Sequence, residues 1–179
     1  MNANRRLGSF SKGIAVTAFC LLPSACGRPF DVRTPKGFVE LENQAPGYDY
    51  RATTADGVVV GVRAVEASGR SDLGFWTEAV TLQLRNEMGY ALLATKDVRS
   101  EDGTSGRELR FGHDEPGGPY AYRVTVFSAQ ERVFVLEAGG ARDAVERLAP
   151  KLDWQVSTFR ARCGFFLAPV LASRTCNRW

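Results

Sequence analysis

The sequence predicts an α+β protein in which an antiparallel β-sheet is flanked by helices. Three observations lead there. Strand-like alternation of period two recurs in short segments, the turns between successive segments are too short for crossovers, and only two segments change to helical spacing. With 179 residues, 44% of them hydrophobic and 24% charged, the chain can bury one core and is too short for two full-sized domains.

The folded region is expected to begin near Thr34, with Gly37 to Leu41 as a first short strand. Tyr48, Tyr50 and Ala52 then alternate with Asp49, Arg51 and Thr53, the pattern of a strand with one buried face. Ala55-Asp56-Gly57 reads as a hairpin turn, because Asp-Gly tolerates the positive φ of a tight turn, and Val58 to Glu66 is the return strand. From Ser71 to Met88 the period changes: Trp76, Val80, Leu84 and Met88 recur every four residues, with Leu73, Ala79 and Leu82 widening the stripe. Ser71 or Asp72 is available to cap this helix and Gly89 to end it.

Four strands are expected next, at Tyr90 to Val98, Arg107 to Gly112, Tyr120 to Ser128 and Arg132 to Glu137. Their turns fall at Asp102-Gly103, Pro116-Gly117-Gly118-Pro119 and Gln130-Glu131. In the third of these strands, Tyr120, Tyr122, Val124, Val126 and Ser128 share one face, and Ala121, Arg123, Thr125 and Phe127 share the other. Gly139-Gly140 is read as the end of the ladder. A second helix follows through Ala141, Ala144, Val145 and Leu148, and Pro150 is expected to kink or restart it before Leu152, Val156 and Phe159.

The formal charge of +3 resides in the first 25 residues, where Arg5, Arg6 and Lys12 meet no acid; beyond them basic and acidic residues balance at 20 each. A neutral body has no electrostatic basis for nucleic-acid binding or for a polybasic membrane surface. The same leader places a positive segment before the apolar run Gly13 to Leu22. As a helix that run spans about 15 Å, half of a bilayer core of about 30 Å, so residues 1–25 read as a secretion signal and not a membrane span.

Leu22-Pro23-Ser24-Ala25-Cys26 resembles a bacterial lipobox, with Pro23 standing where that motif usually has an aliphatic residue. The resemblance implies that Cys26 is lipidated and becomes the new N-terminus, with residues 26–33 as a tether. Ordinary cleavage after Gly27, releasing a periplasmic or secreted protein that starts at Arg28, is the alternative. Either way Cys163 and Cys176 alone remain in the body, an even number in an oxidising compartment. A bridge between them would close a loop of about 14 residues and stabilise by about 3 kcal/mol; two independent thiols are the other possibility. The tail at 163–179 contains an apolar run, Gly164 to Ala172, that is interrupted by Pro169 and too short to span a membrane.

The opening Pro35-Lys36-Gly37-Phe38, the helix carrying Trp76 and the closing Val156-Ser157-Thr158-Phe159-Arg160 are similar to the PsbP-like family, in which Thr158 has no counterpart between the serine and the phenylalanine. The resemblance covers Val32 to Arg160, within a body bounded at 34–162. It implies the fold found in a photosystem II extrinsic protein, a Ran-binding import factor and numerous bacterial lipoproteins. It carries no site residue, because those functions differ.

Motifs for chemistry are sparse. His113, in Phe111-Gly112-His113-Asp114-Glu115, is the sole histidine and the one candidate base or weak metal ligand, and the segment reads as an exposed hairpin loop. Glu101-Asp102-Gly103-Thr104 reads as a turn and not a calcium loop. No phosphate loop, nucleophile elbow or zinc spacing occurs, so no catalytic set, metal or cofactor is expected. Trp76 and the tyrosines near Tyr120 are pocket-lining candidates, with core packing the more ordinary role for aromatics at that spacing.

The function expected is that of a non-enzymatic, lipid-anchored envelope protein that binds another envelope component. Its location would be the outer membrane in a Gram-negative cell, since Gly27 after the modified cysteine is compatible with that sorting. The alternative is a periplasmic or secreted hydrolase or small-ligand binder using a cleft beside the first helix and His113.

Overall fold

A computed structural model describes residues 28–43, 45–67, 72–129 and 131–162. The leader with Cys26, and the tail with Cys163 and Cys176, lie outside the described residues. Among the described residues no helix is long and apolar enough to cross a membrane.

The sheet dominates the architecture to a greater degree than helices flanking a sheet would suggest. In chain order the elements are β1 (Phe30–Asp31), β2 (Val39–Glu40), β3 (Tyr50–Thr53), β4 (Val59–Glu66), α1 (Leu73–Asn86), β5 (Ala91–Arg99), β6 (Ser105–Glu115), β7 (Gly118–Ala129), β8 (Arg132–Ala141), α2 (Arg142–Arg147), α3 (Ala149–Ser157) and β9 (Arg160–Ala161). Seven strands form one sheet in the order β2-β3-β4-β8-β7-β6-β5, and β1 pairs with β9 apart from it. Every pairing is antiparallel.

Alternation along the long strands builds two cores. On one face Leu109, Phe111, Val124, Val126, Val133 and Val135 pack with Leu84 of α1. On the other, Val60, Val62, Phe127, Phe134 and Leu136 pack with Val145 of α2 and Leu152 of α3. The two faces of β7 divide as the alternation predicts, Val124 and Val126 in one core and Phe127 in the other.

Local chemistry explains where the elements stop. Asp72 caps α1, its Oδ1 accepting from the Gly74 amide at 2.8 Å, and Gly89 takes φ +71° just beyond the helix. Pro150 sits at the start of α3, so it restarts the helix after Leu148 as expected.

Four expectations need correction. The tether is not free throughout: Phe30 is 1% exposed and β1 pairs with β9, with Phe30 opposite Ala161. The Gly139-Gly140 pair does not end the ladder, because β8 runs on to Ala141 with Gly139 paired to both Val59 and Tyr122. These glycines are set by close approach instead; a Cβ on Gly139 would lie 2.6 Å from Tyr120 Oη, and one on Gly140 3.0 Å from Val58 Cγ2. His113 is not in a loop but in β6, opposite Tyr120, and the turn is the two residues Pro116-Gly117. Leu82 and Met88 do not join the buried stripe of α1: they are 48% and 54% exposed.

Candidate functional site

A recess with a cavity volume of 350 Å³ lies between α1 and the sheet. That volume is in the range of small-ligand sites. Its floor follows from strand alternation. Val133, Val135 and Glu137 of β8 project to one face, beside Arg63 and Val65 of β4 and Tyr122 of β7. Its roof is Trp76, Val80, Gln83 and Leu84 of α1, with Met88 just beyond the end of the helix. The apolar walls therefore come from positions legible as a strand face and a helix face. The polar end does not.

At that end the alternation delivers a glutamate where a third aliphatic side chain would continue the row. Glu137 is 7% exposed and accepts hydrogen bonds from Tyr48 Oη, at 2.7 Å, and from Arg63 Nη2. The Arg63 guanidinium also lies over the Tyr48 ring, 5.1 Å from its centroid, and that of Arg51 lies 5.6 Å from the same centroid. Gly61 makes the cluster possible. A Cβ there would stand 2.6 Å from Tyr48 Cε1, so only glycine lets the ring lie across β4 and carry its hydroxyl to Glu137.

Burial raises the Tyr122 hydroxyl well above the ordinary tyrosine range, and the neighbouring Glu137 charge adds to it. Tyr48 is raised by the same causes, its hydrogen bond to Glu137 included. For Arg63 burial acts downward, but the charge and hydrogen bond of Glu137 outweigh it and hold the guanidinium above its usual value. Only Nη2 of Arg63 has a protein hydrogen-bond partner among the described residues, and Nε is buried without one. The cluster is thus a neutralised pair with donor capacity left over.

His113 is placed elsewhere. It is half-buried at the rim of a second recess of 300 Å³, shared with Gly89, Leu93, Gly112, Asp114 and Arg142. Its Nδ1 is 3.3 Å from the Gly89 carbonyl oxygen, and its ring centroid is 5.0 Å from that of Tyr90. Asp114, next along the strand, reaches toward Arg142 at 3.9 Å and is largely exposed. Among the described residues no group of three or more histidine, cysteine, aspartate or glutamate side chains is placed to hold a metal ion. Asp102 serves its own turn, with Oδ1 accepting from Thr104 Oγ1 at 2.8 Å and from the Thr104 amide at 3.1 Å. Of the aromatic candidates, Trp76 and Tyr122 line the larger recess and also pack against the core beneath it.

Sequence reading missed Arg63, Glu137 and Tyr48. The signal was present in the two strands, where Arg63 and Glu137 stand in the phase of apolar neighbours and Gly61 interrupts an otherwise aliphatic run. A charge in the buried phase of a strand needs a partner, and a glycine there marks a close approach.

No family model matches the sequence, and a search of curated proteins gives no significant match. Solved structures do match. Cyanobacterial PsbP from Synechocystis aligns with a TM-score of 0.56 at 15% identity, covering 74% of this chain and 86% of that one. The Ran-binding protein Mog1p of Saccharomyces cerevisiae aligns at 0.53 and 13% identity, covering 74% and 90%. LpqN of Mycobacterium tuberculosis, a protein involved in cell envelope biogenesis, aligns at 0.50 and 15% identity, covering 73% and 81%. The chain therefore has a PsbP-like fold, and at these identities the likeness is one of fold.

Proposed function

We propose that the chain is a non-enzymatic binding or accessory protein of the cell envelope, held on a membrane by acyl chains on Cys26 and presenting the α1 cleft to its ligand or to an envelope partner. The observation that carries the binding role is the state of the cleft's polar groups. Arg63 and Tyr48 both donate to Glu137, so the one carboxylate among the described residues that line the cleft is engaged and is not free to act as a base. Such a site can orient a bound molecule within apolar walls. The Ran-binding character of Mog1p and the envelope role of LpqN support an accessory role on the same scaffold.

Attachment has to come from lipid, because the neutral body offers no charge to hold it on a bilayer. Each buried methylene contributes about 0.8 kcal/mol, and two or more chains give durable anchoring. Replacing Cys26 with alanine should move the protein from the detergent-extracted membrane into the soluble fraction. Unchanged partitioning would refute the anchor.

The second reading, a secreted hydrolase or small-ligand binder, is favoured by the recess beside His113. It requires that His113→Ala abolish activity or ligand uptake at unchanged thermal stability; full retention removes His113 from any mechanism.

A further inference from the structure

We infer that the α1 cleft takes an aliphatic carboxylate, its chain lying between α1 and β8 and its head group at Arg63; this rests on the binding role proposed above and names the ligand class. The two ends of the recess differ in chemistry. Val65, Trp76, Val80, Val133 and Val135 supply apolar walls, interrupted on the helix side by Gln83, whereas the charged pair Arg63 and Glu137 stands with Tyr48 and Tyr122. The register sets the order: Val133 is opposite Val65 and Val135 is opposite Arg63, so Arg63 stands beside the last valine of the row, and Glu137 follows one alternation further along β8. An amphiphile fits such a site, and a wholly polar or wholly apolar molecule does not.

Charge complementarity selects the head group. Two guanidiniums, those of Arg63 and Arg51, approach the Tyr48 ring, and the one carboxylate in contact with them is Glu137, bound by Arg63. Arg51 does not itself line the recess, but it lies against Tyr48, which does, and among the described residues it has no carboxylate within ion-pair distance, so it adds a positive charge beside the polar end. The Arg63 side chain is 41% exposed, and only its Nη2 is engaged by protein. A ligand carboxylate would complete both the charge balance and the hydrogen bonding of this end, whereas a cationic head would meet uncompensated arginine. Met88 marks the mouth on the helix side, 54% exposed and lining the same recess.

The test is titration of the full chain, carrying Cys26→Ala so that it has no acyl chains of its own, with sodium decanoate, 1-decanol and decyltrimethylammonium below their micellar concentrations. Calorimetry should give one site for decanoate, with decyltrimethylammonium at least tenfold weaker and decanol between them. Val80→Trp, which fills the cleft, should weaken decanoate at least tenfold. Met88→Glu should weaken it several-fold at unchanged circular dichroism and thermal midpoint, and this holds the proposal to account if the Val80 variant does not fold. Equal binding of the cation, undiminished decanoate binding by a folded variant, or no decanoate binding would each overturn the inference. None of these bears on where Cys26 places the protein, which the fractionation test decides separately.

Discussion

Phe159 leaves the last helix and lays its ring flat on that of Phe127 of β7, with centroids 4.5 Å apart and planes 9° from parallel. The stack continues into the sheet. A Cβ on Gly106 would lie 2.5 Å from Phe127 Cδ1, so the glycine leaves room for Phe127 to lie over the β6 backbone. Phe30 and Phe134 close around Phe159, which is fully buried. Truncating this residue opens a cavity in the middle of the core. Phe159→Ala is expected to cost about 3–5 kcal/mol, read as a lower midpoint in urea with little change in slope. A loss below about 1 kcal/mol would show that the site collapses or is not packed as described.

A second expectation concerns the ion network that ties α3 to the sheet. Arg123, 8% exposed, donates through Nη2 to Glu108 and to Asp153, and Arg110 Nε donates to Glu108 at 2.6 Å. Glu108 is 2% exposed, so removing Arg123 strips it of its buried partner. Arg123→Met should cost about 3–5 kcal/mol, and adding Glu108→Met should recover most of that. Asp153→Asn should cost far less, because Asp153 is half-exposed. Equal losses for Arg123→Met and Asp153→Asn would contradict the arrangement.

Gly139→Ala provides a sharper test of the floor beneath the tyrosines. The added methyl would sit 2.6 Å from Tyr120 Oη and 2.9 Å from Tyr122 Cδ2. A cost of about 1–3 kcal/mol is expected from overpacking. Tyr120→Phe should relieve part of it, since it removes the nearest atom. Additivity of the two substitutions would mean that they do not touch.

The tyrosines also set an alkaline limit. All five, Tyr48, Tyr50, Tyr90, Tyr120 and Tyr122, are raised above 10.0, each with burial as the largest cause. Above pH 10 the unfolded chain loses these protons while the folded one keeps them. The unfolded state then binds fewer protons and stability falls as pH rises. The contribution is complete below pH 10 and lost as pH climbs through the folded-state values. Phenolate absorbance should rise at higher pH in the folded protein than in urea, and Tyr122→Phe should flatten the decline in stability. Coincident titrations would show that the rings are not buried.

The alternation of β7, the Asp56-Gly57 hairpin and the capped α1 were readable because each depends on spacing and turn chemistry within one short segment. The β1–β9 pair was not. It joins Phe30 to Ala161 across almost the whole of the described residues, and two-residue strands carry no period. The cleft divides in the same way. Its apolar walls follow from faces visible in α1 and β8, but its polar end joins Tyr48, Arg63 and Glu137 from three separated segments. Only the non-local pairing of β4 with β8 reveals that Arg63 and Glu137 are partners. Gly139 and Gly140 misled for a related reason, since a glycine pair in a linear reading cannot distinguish a chain break from a packing cleft.

Intact-mass analysis of the protein recovered from its native membrane tests the functional account most directly. The account predicts a chain that begins at Cys26 and carries the added mass of at least two acyl chains. A chain that begins at Arg28 without modification, or one that retains Met1, would contradict it.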